Sequence, residues 1–215
     1  MSLAEELHSS SAEIGVVLDA EGQRKLLEYL DLLLKWNKVY NLTAIRDQQQ
    51  MVSHHLLDSL AVLPYLWVGR WLDVGCGAGL PGLVLAIVRP DWHFTLLDSN
   101  SKKISFVQQA VIELGLNNVS VHCARIEGWI TAEGFDGIIS RAFSDLGDFL
   151  CITSHLAGPQ TRWAAMKGSP QHELEGIPKD FRVERVIPLQ VPGLQAARSL
   201  VIACREPNQE INGCV

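Results

Sequence analysis

The stretch Trp71-Leu-Asp-Val-Gly-Cys-Gly-Ala-Gly-Leu-Pro-Gly82 constrains this chain more than any other. An apolar run ends in an acid and then breaks into four glycines within eight residues. Such a pattern reads as a strand feeding a ligand-binding loop, because glycine lets the backbone turn at positive φ and approach a ligand more closely than any Cβ permits. Gly75, Gly77 and Gly79 supply that freedom, and Leu80 to Val88 then reads as a helix whose N-terminus faces the ligand. Pro81 suits the first helical turn, where no amide donor is needed. A turn without a ligand would need fewer glycines.

Two cofactor classes compete for this loop. Gly77-Ala-Gly-Leu-Pro-Gly82 matches the dinucleotide fingerprint, whereas Gly75-Cys-Gly-Ala-Gly79 preceded by Asp73 looks like the first motif of S-adenosylmethionine-dependent methyltransferases. His93-Phe-Thr-Leu-Leu-Asp98 is an apolar strand ending in a carboxylate, placed where either cofactor presents its adenosine ribose hydroxyls. Asp73 tips the balance. A carboxylate just before the loop repels a pyrophosphate but suits the ammonium of a methionyl group.

The 215 residues, 47% hydrophobic, are enough for one substantial core with a small appendage. No apolar run approaches a membrane span and no basic leader precedes an apolar segment, so a cytoplasmic protein without membrane contact is expected. Cys76, Cys123, Cys151, Cys204 and Cys214 show no C-x-x-C spacing, which points to neither a disulfide framework nor a metal site. A net charge of −6 argues against a protein that coats naked nucleic acid, yet leaves room for a local basic face around Lys35, Lys38, Arg46, Lys102, Lys103, Arg125, Arg141, Lys167 and Arg198.

Helical spacing over residues 21–40 and 48–66 predicts two amphipathic helices ahead of the sheet. From Trp71 the pattern alternates: strand 71–74, helix 80–88, strand 93–97, helix 101–114, strand 118–122 and a fourth strand over 134–141. Short strands separated by helices mean a parallel sheet. A fifth strand follows at 162–167, after an exposed connection around 168–178 come two β-branched-rich segments, 181–190 and 198–205, expected to form an antiparallel pair at the sheet edge. Residues 1–66 thus form a helical extension and 67–215 the cofactor-binding domain, together one compact unit. The fold class is α/β, Rossmann-like, mostly parallel.

Seven segments in order carry a resemblance: Lys35-Trp-Asn-Lys-Val-Tyr-Asn-Leu-Thr43, Ile45-Arg-Asp47, His55-Leu-Leu-Asp-Ser59, the glycine loop, Leu96-Leu-Asp-Ser99, Ser140-Arg-Ala-Phe143 and Lys167-Gly168. From about residue 20 to 205 the chain resembles the glucose-inhibited division protein B family of ribosomal RNA small subunit methyltransferases. The resemblance implies a class I methyltransferase fold, S-adenosyl-L-methionine as methyl donor, and N7 of guanine 527 of 16S rRNA as acceptor, within the small ribosomal subunit or an assembly intermediate. It also implies site residues. Asp73, Gly75, Gly77, Gly79 and Leu80 would hold the methionyl and ribose parts, Asp98 the ribose hydroxyls, Ile126 and Glu127 the adenine edge, and Arg141 the cofactor or substrate pocket.

Several residues admit a plainer reading. Asp98 could merely cap the next helix, Arg125-Ile-Glu127 could be an ordinary loop ion pair, and Asn37 and Asn41 could be capping or turn residues rather than parts of the substrate pocket. His55, on an apolar helix, reads as a packing residue. Cys76 lacks any partner base and sits beside Asp73, which works against a thiolate nucleophile. Asn41, Lys167 and Arg198 are candidate substrate contacts, with Tyr40 and Phe143 as stacking surfaces. No acid–base pair or metal set stands out, and the sequence sets no oligomeric state, a monomer being the simpler expectation.

Overall fold

The computed structural model describes residues 2–132, 134–141, 143 and 145–206. Ala142 of the Ser140–Phe143 segment and Cys214 lie outside them. Seven strands form one sheet: β1 (Arg70–Val74), β2 (His93–Asp98), β3 (Val119–Cys123), β4 (Phe135–Arg141), β5 (Ala157–Lys167), β6 (Phe181–Leu189) and β7 (Arg198–Arg205), in the order β3-β2-β1-β4-β5-β7-β6. The first five are parallel, and β7 runs antiparallel to both β5 and β6. The chain leaves β1 in one direction for β2 and β3 and returns to the other side for β4. That reversal opens a crevice at the carboxyl ends of β1 and β4, where open α/β sheets bind ligands.

Strand alternation divides the core into two layers. In β1, Trp71 packs with the N-terminal helices, whereas Leu72 and Val74 face Phe149, Leu150 and Trp163 on the other side. Gly137 on β4 is where Trp71 needs room, since a Cβ there would lie 2.4 Å from the indole.

On the first face lie α1 (Leu3–Glu13) and α2 (Ala20–Tyr40). The spacing read from the sequence gives α2 within one residue but misses α1, whose start is a reciprocal cap between Ser2 and Glu5. Helix α2 buries Leu26, Tyr29, Leu30 and Leu33 in the same layer as Trp71 and Phe94, so extension and sheet share a core. The helix expected over 48–66 is instead composite. Helix α3 (Gln48–Met51) passes into a π-helix, Val52–Leu57, then α4 (Asp58–Leu60), and the path ends in a 3₁₀ turn at Leu63–Tyr65. π-Helical turns are rare and cluster at functional sites.

Helix α5 (Gly82–Val88) begins two residues later than expected. The amide of Leu80 closes on the Cys76 carbonyl at 2.8 Å, leaving Pro81 just ahead of the helix at its N-cap. Helix α6 (Ser101–Glu113) is capped by Asn100, and α7 (Leu146–Thr153) covers the second face. The connection after β5 carries a single short turn, α8 (Gln171–Leu174). Strand β5 starts earlier than expected, at Ala157, and the antiparallel edge pair is present as read from the sequence. Among the described residues no helix is long and apolar enough to cross a membrane.

Candidate active site

The glycine loop is tied down at both ends and in its middle. Gly75 and Cys76 donate to the Leu97 carbonyl at 2.8 and 3.1 Å, locking the end of β1 to the end of β2. Gly77 donates to Asp98 Oδ2 at 2.9 Å, and the buried Tyr29 hydroxyl donates to the Ala78 carbonyl at 2.8 Å. Gly75, Gly77 and Gly79 have φ of 69°, 58° and 87°, and a Cβ on Gly79 would lie 2.4 Å from the Leu83 side chain. The loop therefore needs glycine for its own path as well as for a ligand.

Asp98 is not the cap of α6. Asn100 takes that role, accepting from Lys102 and Lys103, while Asp98 Oδ1 accepts from the Asn100 amide at 2.8 Å. Two backbone donors thus fix its carboxylate at the rim of the loop, with lone pairs remaining for hydroxyl donors. The next segment adjoins it: the Ala124 amide donates to the Asp98 carbonyl, and Ile126–Gly128 form a 3₁₀ turn in which Ile126 is buried and Glu127 exposed.

Asp73 lies fully buried beneath the loop. Its Oδ2 accepts from the Gly82 amide at 2.8 Å, whereas Oδ1 is buried without a partner among the described residues. Burial pushes its carboxyl up to about 7, against the Gly82 amide and the Arg141 charge, which pull it down. A buried carboxyl with an open oxygen beside a glycine cradle fits a cationic ligand, whose charge would favour the ionised form. Burial, with Asp73 and Asp98 nearby, pushes the Cys76 thiol well above its ordinary range. Leu80 buries its side chain in the core and so shapes the loop from within.

Beyond β4 and β5 a cleft of about 400 Å³ is lined by Ile45, His54, His55, Asp58, Arg141, Met166, Lys167, Gly168 and Arg198. Asp58 is its hub. Arg141 Nη1 donates to Asp58 Oδ2 at 3.2 Å and to the His54 carbonyl at 3.0 Å, and Arg198 Nε donates to Asp58 Oδ1 at 2.9 Å. Lys167 Nζ lies 2.6 Å from Glu173 and 3.3 Å from the Phe143 carbonyl. The Phe143 ring sits beside Gly75, 3.7 Å from where a Cβ would stand, which links the cleft to the loop.

His55 packs against this arrangement with its Nε2 2.9 Å from Thr43 Oγ1. Burial, then the Arg141 charge, lowers its ring to about 4, so it is neutral near pH 7. Asn37 is buried and structural, accepting from Thr43 N and donating to the Ile45 carbonyl. Asn41 is the left-handed C-cap of α2 and lies with Lys38 and Arg46 along a separate depression, away from Arg141 and Arg198. Tyr40 packs on Trp36 with the rings tilted and their centroids 5.3 Å apart, at the exposed end of α2.

Structure thus gathers Asp73, Gly75, Gly77, Gly79 and Asp98 at one rim, and Arg141, Lys167 and Arg198 at the adjoining cleft. It does not bring Asn41 to them. Two residues escaped the sequence reading, Tyr29 and Asp58. An acid inside the apolar run Leu56–Leu60 was the available signal for Asp58, since a carboxylate there must be buried with a partner.

A glycine loop after β1, a carboxylate ending β2 and a reversed β7 within this strand order define a class I S-adenosylmethionine-dependent methyltransferase. Solved structures agree on the fold. A SAM-dependent methyltransferase from Aquifex aeolicus superposes with a TM-score of 0.54 at 22% identity, covering 69% of this chain and 90% of that one. The glycopeptide N-methyltransferase MtfA complexed with S-adenosyl-L-homocysteine gives 0.62 at 10% identity, covering 71% and 87%. Residues 22–201 match the GidB family, described as rRNA small subunit methyltransferase G, and the chain belongs to that family. Ribosomal RNA small subunit methyltransferase G of Pseudomonas aeruginosa (strain LESB58) is 54% identical over 204 residues, covering 94% of this chain and 95% of the relative. The protein of that name from Laribacter hongkongensis (strain HLHK9) is 52% identical, covering 94% and 98%.

Proposed function

We propose that this enzyme transfers a methyl group from S-adenosylmethionine to N7 of guanine 527 in 16S rRNA, acting in the cytoplasm on the small ribosomal subunit or an assembly intermediate. The observation that carries the RNA half is the cleft, where Arg141, Lys167 and Arg198 stand beside the glycine loop in a chain whose net charge is −6. Cations concentrated at one mouth of an acidic protein suit a specific, folded RNA surface better than generic phosphate attraction.

S-adenosylmethionine, when bound, supplies an electrophilic methyl group on a sulfonium. Asp98 would take the ribose hydroxyls on its remaining lone pairs, Asp73 would face the ammonium through its open oxygen, and Ile126 with Glu127 would border the adenine. Guanine N7 carries an in-plane lone pair and no proton, so its attack needs no base. The residues then contribute by holding the acceptor near the methyl and excluding water. His55, neutral and buried, and Cys76, held as a thiol, need take no proton. Arg141, Arg198 and Lys167 grip the RNA around the target, and Phe143 offers a stacking face between the two regions.

Methyl transfer with isotope-labelled cofactor, followed by nucleoside analysis, tests this reading. The expected product is 7-methylguanosine at one position, formed far better on assembled small subunits than on short naked RNA. A methyl group on a ring carbon or exocyclic amine overturns the chemistry, and efficient modification of arbitrary short RNA overturns the selectivity.

A further inference from the structure

Asp58 occupies an unusual place. Its side chain is only 3% exposed, yet its two oxygens are taken by guanidinium groups from sequence-distant strands, Arg141 at the end of β4 and Arg198 at the start of β7. With both oxygens engaged by arginines and only a sliver of its surface at the cleft, it is placed to hold those arginines rather than to bind a substrate itself. A buried carboxylate is tolerated only where pairing and hydrogen bonds replace its hydration, and two guanidinium donors do so here. The π-helix Val52–Leu57 immediately before it also turns the His54 carbonyl toward Arg141, which fixes that arginine twice.

Both arginines line the cleft, and Arg198 is the more exposed of the two. Its Nε is held by Asp58 and Nη1 by the Ala197 carbonyl at 3.0 Å, and Nη2 makes no hydrogen bond among the described residues. The side chain is 28% exposed. An arginine held this way loses little further freedom on binding, and its planar fork matches a phosphate. Arg141 and Arg198 share the one carboxylate of the cleft lining, Asp58, and Lys167 is paired with Glu173, so the two arginines leave one positive charge in excess at the mouth. An anionic ligand is what such a lining recognises.

We propose that Asp58 is a positioning residue of the RNA cleft, holding Arg198 so that the remaining N–H groups of its guanidinium meet a backbone phosphate of the RNA. The proposal rests on the ribosomal RNA reading above and adds to it the residue that preorganises the grip and the RNA group it serves.

The test uses the full-length enzyme and purified small subunits lacking the modification. Asp58→Asn leaves one oxygen and places an amide N–H₂ against a guanidinium, so one arginine loses its hold; Arg198→Ala removes the contact itself. Both variants are expected to raise KM for subunits about tenfold, with kcat within about twofold. The double variant should be no more than about twofold worse than the poorer single one, because both act through one contact. Loss of one phosphate contact should make the dependence of log affinity on log salt shallower by about one in both. Additive effects, an unchanged salt slope, or a loss of kcat at constant KM each overturns the proposal. Should Asp58→Asn fail to fold, Arg198→Ala decides alone: an unchanged salt slope there removes the phosphate contact and Asp58's role with it. Failure of the wild type to form 7-methylguanosine on these subunits defeats the underlying reading instead, and the binding slopes still report on the cleft.

Discussion

Replacing Tyr29 with Phe removes a single hydroxyl and tests whether the helical extension holds the cofactor loop. That hydroxyl donates to the Ala78 carbonyl at 2.8 Å across 49 residues of sequence, and both residues are buried. The ring keeps its packing against Phe106, 6.1 Å away between centroids, so no cavity larger than one oxygen opens. One loss remains. Because the bond is removed from one side only, the buried carbonyl is left unpaired, which costs about 1–3 kcal/mol, and about 2 kcal/mol is expected. For a chain of this length that lowers Tm by about 4–8 °C. Burial raises the Tyr29 hydroxyl above its usual range, so it remains a protonated donor throughout the working pH range. Affinity should fall too. Ala78 is flanked by Gly77 and Gly79 at positive φ, and a loop no longer pinned must be ordered by the ligand, at about 1–2 kcal/mol per residue fixed. If only part of one residue's freedom is recovered, S-adenosylmethionine should bind about three- to tenfold more weakly. Melting curves with and without cofactor, together with calorimetry, measure both effects. Wild-type Tm and affinity in Tyr29→Phe would refute the argument that the extension holds the loop.

Asp98→Asn should weaken S-adenosylmethionine about tenfold or more, nearly as much as Asp98→Ala, because both carboxylate oxygens accept from backbone amides and an amide N–H₂ must face one of those donors; calorimetry on the folded variants decides it. Asp73 is raised to about 7 from an ordinary 3.8, so the native state binds more protons than the unfolded one in between, and stability falls as pH rises from about 4 to about 7. His55 is lowered to about 4 from 6.5, so the native state binds fewer protons there, and stability is lost as pH falls from 6.5 toward 4. The two slopes oppose each other. Urea unfolding across this window should show stability rising with pH more steeply in Asp73→Asn than in wild type, and less steeply, or falling, in His55→Gln; variants that keep the wild-type slope would show that these groups do not titrate as their burial implies.

The sheet was legible because strand and helix periods alternate cleanly from Trp71 to Arg141, and β-branched residues mark the last two strands. Helix α2 was legible from its apolar stripe. Helix α1 was not, since its mean pattern is weak and its start depends on the Ser2–Glu5 cap. The cofactor rim could be read from the glycines and from acids at strand ends, because local backbone needs dictate those residue types. Asp58 and Tyr29 were different: their roles arise from contacts 83, 140 and 49 residues away along the chain, which no local window contains. Asn41 was ambiguous for the converse reason. Its residue type serves a helix end as well as a ligand, and the left-handed backbone at φ 49° uses it for the former.

The π-helical turn at Val52–Leu57 makes chain length, and not only residue type, a determinant of the site. Each residue of an α-helix advances the face by about 100°. The wider turn takes up about one residue more than an α-helix does for the same rotation. Were the same six residues to wind as an ordinary α-helix, everything after them would be rotated by about that angle, and Asp58 would point away from Arg141 and Arg198. A one-residue insertion in 52–57, with no further bulge to absorb it, should therefore be less tolerated than conservative substitutions at the same positions. The six-residue spacing of that turn functions as a gauge that sets where the carboxylate meets its two arginines.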